Sequence, residues 1–89
     1  MMYSFMTLED ETEIVHSEMQ EDGSVIVCCE RPVFQDLKTA YCRIPGYGWY
    51  DVENFTQEEL LNLTKELKTV AHLILKYANK GGFLNAAGF

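Results

Sequence analysis

The feature that most constrains this chain is a helix that cannot stand alone. Thr56 is followed three residues later by Glu59, the pattern of a capping box, and Phe55 just before it is placed to staple onto Leu60. From there Leu60, Leu63, Leu67, Val70, Ala71, Ile74, Tyr77 and Ala78 recur at steps of three and four, which puts them on one stripe of a helix. Glu58 and Glu59 open the segment and Lys76 and Lys80 close it, as the helix dipole favours, and Gly81-Gly82 supplies a stop. The spacing therefore predicts a helix over 57–80. An isolated helix with such a stripe is marginal in water, so the stripe needs a partner surface.

The residues before it supply that surface as strands. Tyr3–Leu8 is rich in β-formers and ends at Glu9-Asp10-Glu11. Thr12–Met19 reads as a second strand stopped by Glu21-Asp22-Gly23-Ser24, where Asp-Gly is a strong hairpin signal because glycine accepts positive φ. Ser24–Arg31 is a third strand, with both faces apolar enough for a central position. Pro32 is expected to end it by removing a ladder donor, and Leu37–Ile44 to form the fourth strand before Pro45-Gly46. Short connections favour antiparallel neighbours. The expected fold is α+β: a four-stranded antiparallel β-meander packed against one C-terminal α-helix (ββββα). Residues 1–82 form this single domain, and 83–89 an apolar tail ending at Phe89 that folds back or meets another chain.

Charge is placed unevenly. Residues 1–30 carry Glu9, Asp10, Glu11, Glu13, Glu18, Glu21, Asp22 and Glu30 without one lysine or arginine, and the whole chain has a net charge of −7. Such a field repels phosphate backbones and attracts basic surfaces, which argues against direct nucleic-acid binding. No apolar run is long enough to cross a bilayer and no leader pattern opens the chain, so the expected location is cytoplasmic and away from membranes.

Chemistry-bearing motifs are sparse. Cys28, Cys29 and Cys42 form no paired spacing and read as buried free thiols. His16 and His72 belong to no zinc pattern, and the acidic turns lack the alternating ligands of a calcium loop. A nucleophile pair of Cys28 or Cys42 with His16 can be drawn across neighbouring strands, but any small sheet with these residues permits as much. The expectation is no enzyme, no metal and no cofactor. Gly46-Tyr47-Gly48-Trp49-Tyr50 is the most distinctive run, read either as a contact loop or as a plug between sheet and helix, with Trp49-Tyr50-Asp51-Val52 as a candidate short fifth strand. Of these aromatics Tyr47 is the one expected at the surface.

Tyr3-Ser4-Phe5-Met6-Thr7-Leu8, Thr12-Glu13-Ile14-Val15-His16-Ser17-Glu18 and the Gly81-to-Phe89 end resemble short uncharacterised proteins of gut bacteria and their mobile elements. That resemblance implies a bacterial source and brings no assigned activity, so it transfers no functional residue. Four strands followed by a helix is also similar in element order to the Whirly-type single-stranded-DNA binders. Those are basic on the nucleic-acid face, so the likeness to this acidic chain is one of topology.

The expected function is a small acidic interaction or regulatory module, antitoxin-like or a phage-type inhibitor, that meets a protein with a basic surface. Its candidate contact residues are Glu9, Asp10, Glu11, Glu21, Asp22, Tyr47, Trp49 and Phe89. A homodimer through the Leu61 and Leu75 flank of the helix or through a sheet edge is a further expectation. The alternative is a small-molecule binder or minor enzyme with a pocket between sheet and helix lined by Tyr47, Trp49, Cys42 and His16.

Overall fold

The computed structural model describes residues 2–79. Five strands, β1 (Tyr3–Thr7), β2 (Glu13–His16), β3 (Val25–Val33), β4 (Asp36–Ile44) and β5 (Tyr50–Glu53), precede one helix, α1 (Gln57–Asn79). The sheet order is β1-β2-β3-β4-β5 and every neighbouring pair is antiparallel. The chain is thus an α+β meander of five strands, not four, with a C-terminal helix. The Gly81-Gly82 stop and the tail 83–89, Phe89 included, lie outside the described residues.

Period-two alternation decides which face α1 covers. Ile14 of β2, Val25, Val27 and Cys29 of β3, and Ala40, Cys42 and Ile44 of β4 point one way and are buried. Leu63, Leu67, Ile74 and Ala78 of α1 meet them in one core, with Phe55 beside the helix start. The capping box forms as read: Glu59 N donates to Thr56 Oγ1 at 3.1 Å and Thr56 N donates to Glu59 Oε1 at 2.9 Å. Leu61 is 65% exposed, whereas Leu75 packs against the core margin, so the expected dimer flank narrows to Leu61 alone.

The strands depart most from the sequence reading at three places. β3 continues through Pro32 to Val33, because β2 stops pairing at Glu13↔Glu30 and leaves β4 as the one strand beside that stretch among the described residues. A missing donor on such an arm costs no second ladder. The hairpin then turns through Phe34-Gln35, with Gln35 in the left-handed region at φ 60. β2 ends at His16 because half of the next rung passes to a side chain: Ser17 N still donates to the Ile26 carbonyl at 2.8 Å, but Ile26 N donates to Ser17 Oγ at 3.0 Å, and the chain departs toward the Asp22-Gly23 turn. Gly23 there has φ 85, which a residue with a Cβ rarely adopts. β5 exists because the chain reverses after Ile44, with Gly46 and Tyr47 both at positive φ, and returns to pair Tyr50 with Tyr41.

Candidate functional site

In a meander, successive turns fall at opposite ends of the sheet. Glu9, Asp10 and Glu11 therefore sit with the β3–β4 hairpin and the start of α1, while Glu21 and Asp22 sit at the far end, near the close of α1. Met19 N donates to the Ala78 carbonyl there at 3.3 Å. The two acidic turns do not form one patch. Two of their carboxylates also have internal work. Asp10 Oδ1 accepts from Thr12 N at 3.0 Å and Oδ2 from Arg31 Nη1 at 2.7 Å, interactions that hold its pKa below the usual value. Asp22 Oδ1 accepts from Ser24 N and Ser24 Oγ, and its pKa is lowered by the same contacts.

Arg31 joins three elements. Besides Asp10 it pairs with Glu59 of α1, and Lys38 Nζ reaches the same carboxylate at 2.8 Å. Both cations also lie over the Phe55 ring, at 5.5 and 5.8 Å from its centroid. Beside this network a cleft of about 550 Å³ opens between the β1–β2 turn and α1, lined by Leu8, Thr12, Phe55, Glu59 and Glu66 among others.

The aromatic run divides. Trp49 is half-buried and its Nε1 donates to Thr64 Oγ1 of α1 at 2.9 Å. Tyr47, expected at the surface, is half-buried too, because its left-handed backbone turns the ring against the core under Lys68. Both line a shallow groove of about 410 Å³ with Leu60, Leu61 and Thr64. Cys42 and His16, proposed to share a pocket with them, are fully buried and line neither hollow. Among the described residues nothing hydrogen-bonds His16 Nε2, while Nδ1 lies 2.8 Å from the Ser17 carbonyl and so carries the proton. In register, His16, Val27 and Cys42 occupy successive strands, so Val27 stands between the two would-be partners; Cys28 points to the other face.

The face of the sheet turned away from α1 holds what sequence reading missed. Val15, Cys28, Tyr41 and Tyr50 lie opposite one another across four strands, and the two tyrosine rings stack with centroids 5.8 Å apart. The next rung runs Glu13, Glu30, Thr39, Glu53. Glu13 and Glu30 are direct cross-strand partners, a like-charge pairing that sheets normally avoid. Among the described residues no ion pair reaches Glu13, Glu30 or Glu53, since Arg31 and Lys38 point to the helix side. Arg43 is the cation on this face among the described residues, and it donates to Ser24 Oγ at 3.0 Å. The strands were legible in sequence, but which glutamates share a rung depends on register, and register was set by turns whose lengths the sequence left open.

The thiols respond to this setting. Burial raises the Cys28 pKa, the Glu30 and Glu13 charges add to it, and contact with the Tyr41 hydroxyl works against them. Burial also pushes Cys29 up, and Cys42 up to about 12. Native protein at pH 8 is therefore expected to leave a thiol-reactive disulfide reagent unconsumed, with all three cysteines reacting once urea unfolds it. Because folding raises these values, their contribution to stability is complete below the ordinary thiol range near about 8.5 and is lost as pH rises toward about 12. Fast native-state labelling of Cys29 or Cys42 would mean that the core is open.

The arrangement defines a class: a small α+β domain with one face of an antiparallel sheet sealed by a helix and the other, aromatic and acidic, covered by no element among the described residues. The chain matches no protein-family model, no curated protein and no solved structure. Among the described residues no helix is long and apolar enough to cross a membrane, and no group of three or more His, Cys, Asp or Glu is placed to hold a metal ion.

Proposed function

We propose that this protein is an acidic interaction module of the regulatory kind, whose open sheet face docks on a basic surface of another protein. The observation that carries the reading is the cross-strand pair Glu13–Glu30, extended by Glu53 and left without a counter-charge among the described residues. Opposed like charges in a sheet cost stability, and a cost retained on an open face is accounted for if a cationic partner completes the rung. The hairpin tips extend the same negative field, and it steers basic partners from a distance.

Two measurements test this together. Glu13→Gln with Glu30→Gln is expected to raise stability by about 0.2–1 kcal/mol in urea titrations, because the repulsion disappears. Glu13→Lys with Glu30→Lys and Glu53→Lys is expected to abolish affinity capture of the partner from host extract. Unchanged capture by the lysine variant rejects the surface.

A second reading, small-molecule binding, is supported by the cleft between the β1–β2 turn and α1, whose volume is in the range of ligand sites. Its lining differs from the sequence expectation, with Phe55, Glu59 and Thr12 in place of Tyr47, Trp49, Cys42 and His16. Calorimetric titration with small amines that yields no heat removes it.

A further inference from the structure

The two rungs of the open face together describe the shape of an occupant. The aromatic rung Val15–Cys28–Tyr41–Tyr50 and the acidic rung Glu13–Glu30–Thr39–Glu53 run side by side, perpendicular to the strands. Strand geometry places the rungs about 7 Å apart and makes each about 14 Å long. An α-helix, about 10–12 Å across, spans both rungs at once. Its pitch of about 5.4 Å is close to the ~4.8 Å between strands, so a helix laid along the rungs brings one side chain to nearly every strand. An extended segment instead needs a free sheet edge, and its same-side residues are spaced about 7 Å apart.

From this we infer that the open face receives a cationic amphipathic helix of a partner protein. About three turns engage, with aliphatic side chains on Val15, Tyr41 and Tyr50 and lysines or arginines along Glu13, Glu30 and Glu53. This rests on the interaction-module reading and names the partner's chemistry. A second copy of this chain fits poorly, because face-to-face contact sets the same carboxylates against each other. Single-stranded nucleic acid finds rings to stack on, but its phosphates meet Glu13, Glu30, Glu53 and Asp51.

The test uses synthetic probes. One is a leucine–lysine peptide of about 14 residues with leucines at helical spacing; the others are its scrambled form, an oligolysine of equal charge and an oligothymidylate. Affinities are read by fluorescence anisotropy at two salt concentrations, and contacts by heteronuclear NMR. The helical probe is expected to bind at least tenfold tighter than the scrambled one, shifting Val15, Glu30, Tyr41 and Tyr50. Tyr50→Ser, at a position 38% exposed and stacked on Tyr41, is expected to weaken it severalfold without changing the salt dependence, with the melting profile recorded beside it to separate lost contact from lost fold. Glu30→Gln is expected to weaken it and flatten that dependence. Equal binding of helical and scrambled probes, with shifts still at Glu13, Glu30 and Glu53, overturns the helix while sparing the acidic module; shifts confined to residues 9–11 and 21–22 overturn both. Failure of every cationic probe overturns both. Preferential binding of the oligothymidylate, or dimerisation in light scattering that masks Tyr50, overturns the helix as well.

Discussion

Leu67→Ala and Ile74→Ala are each expected to cost about 2–5 kcal/mol, a large share of the ~5–15 kcal/mol that holds a domain together. Both side chains are fully buried where α1 meets the sheet, and each truncation leaves a cavity in an interior closed by a single helix. A domain of this size has few other contacts with which to compensate. Leu61→Ala is the matched control: the same change on the same helix at a side chain 65% exposed, expected within about 0.5 kcal/mol of the parent. Urea titrations followed by far-UV circular dichroism and by Trp49 fluorescence read all three. A loss below 1 kcal/mol for both buried positions would mean that α1 does not seal this sheet.

Arg31→Ala is expected to cost about 2 kcal/mol, the largest effect of any charged residue. Its guanidinium ties the β1–β2 turn to α1 through Asp10 and Glu59, and its side chain is only 17% exposed. Removing it leaves Glu59 held by Lys38 and takes one of two cations from the Phe55 ring. Glu59 separates two contributions. Glu59→Gln keeps a residue able to close the capping box and loses the ion pairs, whereas Glu59→Ala loses both. The alanine variant is expected to be less stable than the glutamine variant by about 1 kcal/mol. Equal stabilities would show that the reciprocal Thr56–Glu59 bonds add nothing to the ion pairs.

Much of the fold was legible because its signals are local. Thr56 and Glu59 announced the helix start, and the stripe from Leu60 to Ala78 announced its buried side. Asp22-Gly23 announced a turn. The misreadings came where a distant neighbour decides the outcome. Pro32 stays in a strand because β2 has already ended beside it, and Ser17 leaves its strand because its hydroxyl serves Ile26. Tyr50–Glu53 pairs because β4 offers an edge. The candidate site shows the same division. The acidic turns stood out as runs of charge, yet they lie at opposite ends, with Asp10 and Asp22 bound internally. Glu13, Glu30 and Glu53 are scattered along the chain and meet only across strands.

The order of residues alone established an acidic α+β chain, a meander of strands and a capped helix with one apolar side, since propensity, capping and periodicity act within a few residues. Tertiary structure decided that a fifth strand forms, that Arg31 and Lys38 turn toward the helix, and that three glutamates share a rung with two stacked tyrosines in the next. Each of those depends on register between strands, where a shift of one residue moves every side chain to the opposite face. Local composition does not encode that choice.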